Sequence, residues 1–327
     1  MASRRGHLCW SLLLCASTAW GASRLPPTAP RSGYGWMPDF QELYLRAGAD
    51  FYNSGSNYPS DGIIDPLPSS TSLKQFKFWV EPEYGLAQDW SVKLKLGYAD
   101  ASTSDASGTL LSGSGIDDIQ GQVKWGIKTT EPTITLGLAV RAPTASSRQS
   151  ATSDLVLGNG SFDTALQFHG GYHAGIFGFA LTPAIMFRSR GYSHAITVDG
   201  AVQVEFSRGY GRLFGEFHGS LSDLTPTGAP NGTNSAAGSG GSFSRLTLSP
   251  TGFNAGAKAG VKLFGEFYVE AGASMTVLGT RYPNFFNVQV AIFNAWDFFK
   301  PDKRPKLREI PFETNTDDLK KKEGDEE

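Results

Sequence analysis

From residue 40 onward the chain alternates apolar and polar residues with a period of two, and the phase changes only at turns. In the segment 73–85, for example, Phe76 and Phe78 alternate with Lys77 and Trp79. Successive side chains of a β-strand point to opposite faces, so the pattern predicts strands with one apolar and one polar face.

The same pattern recurs as far as residue 292 and predicts about twelve strands, an even number, as single-chain bacterial barrels require. The predicted strands are 41–52, 73–85, 90–99, 118–127, 133–141, 162–173, 176–188, 196–206, 213–221, 253–263, 267–277 and 286–292.

The connections between these strands are sorted by length. The long polar segments all fall on odd-numbered connections, at 53–71, 100–115, 142–160 and 222–251. The even-numbered connections are all short, near 85–89, 128–132, 174–176, 207–211 and 264–265. Two odd-numbered connections, 189–194 and 279–284, are also fairly short. Long loops on one rim and short turns on the other are typical of an outer-membrane barrel, whereas a soluble sandwich has no reason to sort its loops. We therefore predict an all-β fold, a transmembrane antiparallel β-barrel with long extracellular loops, short periplasmic turns and periplasmic termini.

The composition agrees with this class. The mean hydropathy of −0.23 is too polar for a bundle of membrane helices, and no apolar run beyond the N-terminus approaches the roughly 18 residues of a spanning helix. The net charge of −2 does not favour a nucleic-acid partner. Aromatic pairs ten residues apart, such as Phe162 and Tyr172 or Phe177 and Phe187, fit the two girdles that bound an apolar band roughly 25 Å high.

The chain divides into four predicted parts. Residues 1–21 resemble a cleaved export signal, with Arg4 and Arg5 before a short apolar core and small residues at the cleavage position. Residues 22–39 are proline-rich and predict a periplasmic linker, 40–299 the barrel, and 300–327 a disordered charged periplasmic tail. Both cysteines lie in the signal, so the exported chain contains no disulfide.

The polar faces of the strands carry the charged residues, and these faces are expected to line the lumen. The candidate lumen residues are Lys77, Glu81, Lys93, Lys95, Lys124, Arg141, His169, His173, Glu205, Glu216, Lys258, Lys262, Glu266 and Glu270. If the short connections are tight hairpins, Glu81 lies opposite Lys93, Lys262 opposite Glu266 and Lys258 opposite Glu270. Such pairs either determine the electrostatic field, and with it the selectivity, of a narrow channel, or only neutralise each other in a plugged interior. Neither sign of charge dominates, so the sequence indicates no strong ion filter.

Catalytic chemistry is not indicated. His169 and His173 share one strand face but are separated by about 13 Å of strand rise, too far for one metal or one proton relay. No outward-facing histidine is evident, as lipid-cleaving barrels require. We predict no enzyme activity, no catalytic residue, no metal site and no cofactor.

Three short segments resemble motifs of a known family. Residues 114–125, 142–144 and 157–163 resemble the strand-opening Gly-Leu-Gly-Asp, the strand-end Pro-Thr-Gly and the strand-start Gly-x-Gly-x-x-Asp of the outer-membrane transporter family associated with phenol meta-pathway degradation. Asp117 replaces a glycine of the first motif and Ala145 the last glycine of the second. The resemblance implies a porin-like barrel and uptake of small apolar or aromatic molecules.

Two functions remain open at this point. The first is an outer-membrane channel or transporter for a small solute in a Gram-negative bacterium. The second is a non-conducting structural or surface-interaction barrel, although the long loops are poor in the aromatic residues that anchor protein partners. For either function the expected partners are outer-membrane lipid, lipopolysaccharide and the barrel-assembly machinery, and for the first also the small-molecule solute.

Overall fold

The computed structural model describes residues 36–58, 65–66, 72–104, 110–144, 162–189, 193–221, 251–264, 267–280 and 282–297. Fourteen β-strands are found in these residues. Within the same residues there is no helix long and apolar enough to cross a membrane.

The strands follow one another along the chain, mostly as long hairpins. They are β1 (Glu42–Tyr58), β2 (Asp65–Pro66), β3 (Leu73–Ala87), β4 (Trp90–Ser104), β5 (Leu110–Ile116), β6 (Ile119–Lys128), β7 (Thr133–Ala142), β8 (Asp163–Ala174), β9 (Phe177–Arg188), β10 (Ala195–Phe206), β11 (Gly209–Ser220), β12 (Thr251–Phe264), β13 (Phe267–Thr280) and β14 (Tyr282–Asp297).

The sheet closes on itself because β14 pairs antiparallel with β1, from Glu42 opposite Asp297 to Tyr58 opposite Tyr282. The short β2 pairs only with β1, and β5 and β6 both pair with β4 as two halves of one interrupted strand. The closed structure is thus a barrel of twelve antiparallel strands, which confirms the prediction from the period-two pattern.

The two ends of the barrel differ. At one end, here called the turn end, the connections within the described residues are short, at 88–89, 129–132, 175–176 and 207–208. The opposite end, here called the loop end, is where the chain between β7 and β8 and the chain between β11 and β12 leave the barrel. The strand bounds agree with the predicted sorting, because the chain between β7 and β8 and the chain between β11 and β12 are much longer than any described connection at the turn end.

The outer wall is apolar and the interior is polar, the reverse of a soluble core. Leu138, Leu166 and Phe78 point outward, with exposed fractions of 51%, 54% and 55%. By contrast, the charged side chains Lys124 and Glu270 are buried inside. An apolar wall of this kind is stable in lipid, where the closed ladder also provides hydrogen bonds for the backbone groups of the paired strand residues. The chain therefore has the fold of a transmembrane outer-membrane barrel.

Several strands extend beyond the predicted boundaries at the loop end. β1 continues to Tyr58 and β4 to Ser104, and β5 lies within the predicted loop 100–115. The apolar alternation ends with the lipid band, but backbone hydrogen bonds continue past it. Between β5 and β6 the ladder contains a bulge, at which Asp117 donates its backbone N–H to the carbonyl of Gly97 at 2.8 Å. Thr144 Oγ1 donates to the carbonyl of Ile116 beside this bulge, at 2.6 Å.

At the turn end, the residues before β1 pack against the inner wall. Met37 and Pro38 are buried, and Gln41 donates its backbone N–H to the carbonyl of Gly85 at 2.8 Å. Gly85 is required here, because a Cβ at this position would collide with the carbonyl oxygen of Asp39. Gln41 adopts a positive φ of 67°, which turns the chain into the first strand.

Candidate functional site

The barrel lumen is the candidate site, and its turn end is narrowed by an aromatic layer. Tyr44, Tyr210, Tyr268 and Phe293 form a buried cluster inside the wall, and Trp36 packs against it. The rings of Tyr268 and Phe293 are stacked with centroids 5.0 Å apart. These side chains come from β1, β11, β13 and β14, so the layer covers the side of the lumen where the barrel closes.

Two cavities follow one another along the lumen above this layer. The lower cavity, nearer the turn end, has a volume of about 290 Å³, and the upper cavity has a volume of about 480 Å³. Seven described residues line both cavities and define what we call the waist: Lys95, Gln120, Gln167, Asp199, Phe214, Glu216 and Lys258. Because the two cavities share these residues, they form one continuous polar interior.

Glu270 is the centre of the charge cluster below the waist. Its side chain is 1% exposed and accepts hydrogen bonds from Arg46 and from the Tyr210 hydroxyl. Lys258 Nζ lies 3.8 Å from the same carboxylate. One carboxylate is therefore shared by two cations and a phenol, which brings β1, β11, β12 and β13 together across the barrel interior.

A second cluster joins β3, β4 and β6. Lys124 Nζ donates to both carboxylate oxygens of Glu83, at 2.9 and 3.1 Å, and the Ser91 hydroxyl donates to the same group. Lys93 and Glu81 form a longer ion pair beside it, at 3.7 Å. These contacts satisfy the buried charges on this side of the lower cavity.

The upper cavity is bounded by ion pairs close to the loop end. Lys77 Nζ binds Asp117 Oδ2 at 2.9 Å, so the bulge between β5 and β6 is tied to β3. Asp163 lies between Arg141 and Arg188, with a distance of 3.5 Å to each. Exposed pairs contribute little to stability, but buried side chains such as Asp163 and Arg188 fix the positions of their strands.

The structure places most of the candidate residues in the lumen wall. Nine of them line one or both cavities: Lys77, Glu81, Lys93, Lys95, Lys124, Arg141, His169, Glu216 and Lys258. Four others, His173, Glu205, Lys262 and Glu270, are described but are not among the residues that line these two cavities. Glu266 lies outside the described residues.

The predicted cross-strand pairings were wrong in register. Lys93 is directly opposite Glu83 rather than Glu81, because the turn lies at 88–89 rather than near 87 and the register shifts between Gly85 and Ala87. Lys258 is opposite Gly272. Long side chains still reach diagonally, so Lys93 contacts Glu81 and Lys258 approaches Glu270.

The third predicted pairing fails for a related reason. Lys262 is directly opposite Tyr268, because the connection between β12 and β13 lies one residue later than the assumed turn at 264–265 and the register shifts between Lys262 and Phe264. Its Nζ lies 5.9 Å from the Tyr268 ring centroid. Glu266, the predicted partner of Lys262, cannot be compared because it lies outside the described residues.

The histidines of β8 make separate contacts. His169 lies 3.1 Å from the Gln122 amide nitrogen and 3.2 Å from Thr182 Oγ1. His173, at the turn end, lies between the carboxylates of Glu131 and Glu205, at 3.3 and 3.0 Å. In the described part of the chain, no group of three or more His, Cys, Asp or Glu side chains could hold a metal ion.

Some lumen residues were missed by the sequence reasoning. Arg46 of β1 and Arg212 of β11 both line the lower cavity, as does Phe214. For Arg46 the alternating pattern was present in the sequence, because Arg46 lies between the outward-facing Leu45 and Ala47. It was missed because the two faces of the opening strand, 41–52, were not assigned.

Comparisons with known proteins show the fold and no closer relationship. No family model and no curated protein matches the chain. A crystal structure of an outer-membrane channel from Pseudomonas putida F1 superposes with a TM-score of 0.62 at 12% sequence identity, over 82% of this chain and 99% of that chain. The NanC porin gives a TM-score of 0.47 at 11% identity, over 77% and 98% of the two chains. A FadL homologue from Pseudomonas aeruginosa gives 0.40 at 9% identity, over 83% and 99%. The chain therefore has the architecture of an outer-membrane β-barrel. The resemblance to the phenol meta-pathway family stays a prediction.

Proposed function

We propose that this protein is a channel or transporter that carries a small solute across the outer membrane of a Gram-negative bacterium. In this orientation the turn end faces the periplasm and the loop end faces the exterior. The observation that carries the proposal is the continuous polar interior, in which two cavities share seven lining residues. A barrel with a purely structural role has no need of such a space, since small barrels are usually filled by side chains.

The size of the interior favours a small solute. The cavity of about 290 Å³ is at the lower limit of the roughly 300–1,000 Å³ typical of ligand sites. Phe214 lies at the waist, where its aromatic ring can contact a solute in the lumen. This supports a solute with an apolar or aromatic part, of the kind that the family resemblance implies.

Purified protein reconstituted into planar bilayers is expected to show small, discrete current steps. The lumen is narrow and its turn end is restricted by the aromatic layer, so each step is expected to be well below that of a wide porin. Swelling of protein-containing liposomes in a monosaccharide, compared with a trisaccharide of larger cross-section, measures the size limit for the solute.

A correctly folded barrel that gives neither current nor swelling would contradict the channel. The second candidate would then be the non-conducting structural or surface-interaction barrel. Heat-modifiable migration on a gel, which is typical of closed barrels, provides the folding control for both measurements.

A further inference from the structure

Like charges lie next to each other at the waist and immediately below it. Arg212 of β11 is directly opposite Lys258 of β12, and Asp199 of β10 is directly opposite Glu216 of β11. Like charges in directly opposed positions of antiparallel strands destabilise a sheet. Exchanging one residue of each pair would remove both repulsions, so barrel stability alone does not explain the arrangement. Departures of this kind from local rules are typical of functional sites.

The basic pair belongs to a cavity in which cations outnumber acids. The lower cavity is lined by six cations and three acids, and two of those acids, Asp199 and Glu216, lie at its upper rim. In the upper cavity acids outnumber cations by five to four. Two cations of the lower cavity, Lys124 and Arg46, are bound by Glu83 and Glu270, which do not line the cavity. The charge of the interior therefore changes along the barrel axis, from slightly acidic near the loop end to slightly basic below the waist.

Two lysines at the waist lack an acid of their own. Lys258 lies 3.8 Å from Glu270, a carboxylate that Arg46 already binds. In the described residues Lys95 forms no ion pair within 4 Å, although the carboxylates of Glu81 and Asp50 attract it from a greater distance, and its ammonium lies 5.1 Å from the Trp79 ring centroid. Both ammonium groups come from residues that line both cavities, so an anion in the lumen can reach either of them.

An aromatic ring lies beside this positive charge. The Lys258 Nζ is 4.9 Å from the ring centroid of Phe214, which also lines both cavities. A flat apolar surface next to an incompletely neutralised ammonium is complementary to a small molecule that has an aromatic body and an anionic group.

We propose that the lower cavity is a binding site for small aromatic carboxylates. Lys258 and Lys95 bind the carboxylate, and Phe214 packs against the aromatic body. Charge-assisted hydrogen bonds in a restricted space are stronger than those between neutral groups, which gives the site selectivity for the acid over the neutral compound. The inference rests on the proposed function, since a solute reaches this cavity only through an accessible lumen.

Isothermal titration of the detergent-solubilised barrel with benzoate tests the site without requiring conduction. Benzoate is expected to bind, and benzyl alcohol, which has the same ring without the charge, is expected to bind much more weakly. Lys258→Met should weaken benzoate binding by about tenfold, as expected for the loss of one charge-assisted hydrogen bond. Lys95→Met provides a second variant in case the first does not fold.

Lys262→Met is the matched control. Lys262 is on the same strand as Lys258, but it lines neither cavity and its ammonium lies near the Tyr268 ring. This variant should bind benzoate like the unchanged protein. Equal affinity for benzoate and benzyl alcohol, or an equal loss in Lys262→Met and Lys258→Met, would overturn the proposed site.

Bilayer recordings separate this proposal from the channel itself. Benzoate binding in a barrel that carries no current supports the site and counts against the channel. Current without benzoate binding supports the channel and overturns the site.

Discussion

Replacing Glu270 by glutamine is expected to lower the free energy of unfolding of the barrel by about 3–5 kcal/mol. The substitution keeps the size of the side chain but removes the charge that compensates Arg46, whose side chain is only 12% exposed. A buried charge that has lost its partner cannot recover its hydration, and this cost exceeds the energy of an ordinary hydrogen bond. Urea-induced unfolding from lipid vesicles, followed by tryptophan fluorescence, measures the change.

The matched control is Glu216→Gln, which removes the same charge from an exposed lumen position. Its effect should be less than about 0.5 kcal/mol, the usual range for an exposed position. The double variant Glu270→Gln with Arg46→Met should recover part of the loss, because the closer of the two cations that Glu270 compensates is then removed as well and only Lys258 is left without this carboxylate. Equal effects at positions 270 and 216 would show that the Glu270 cluster does not hold the strands together.

Replacing Leu138 by arginine is expected to lower the free energy of unfolding by about 2–4 kcal/mol. Leu138 lies in the middle of β7, points outward with 51% exposure, and has the apolar neighbours Val123 and Leu166 directly opposite. If this wall faces lipid, the guanidinium enters the hydrocarbon and loses its hydration. The same vesicle-based unfolding experiment reports the effect.

Gln120→Arg introduces the same side chain on the other face of the barrel wall. Gln120 lines both cavities, so the added guanidinium meets water. Even with the like charges of Lys95 and Arg141 directly opposite, the free energy of unfolding should fall by only about 1 kcal/mol. If Leu138→Arg is no more costly than Gln120→Arg, the apolar wall does not contact lipid.

The period-two pattern predicted the number of strands and the face that each presents, because lipid outside and water inside impose opposite demands on alternate residues. The boundaries were less predictable. β11 begins at Gly209 rather than near 213, since the residues Gly209 to Gly211 carry little hydrophobic signal. β5 was not predicted because its residues lie above the lipid band, where both faces are wet and alternation is no longer selected.

The candidate lumen residues followed from the same alternation, but their contacts did not. Partners within a hairpin depend on the register, and one bulge or a turn displaced by one residue shifts every pair, as at Lys258. The contact of Arg46 with Glu270 joins residues 224 apart in sequence and exists only because the barrel closes. No local pattern carries that information, so the charge segregation at the waist became visible only in the folded structure.

The closure between β1 and β14 has a consequence for how this protein is made. The seam joins the two ends of the barrel sequence, so the contacts with the greatest sequence separation form last and pay the largest entropy of loop closure. Before it forms, both outer strands carry rows of unpaired N–H and C=O groups that hydrocarbon cannot hydrate. A partly synthesised chain is therefore not stable in the bilayer. Insertion has to wait until the whole chain is available, and during that time the unpaired strands are exposed to aggregation.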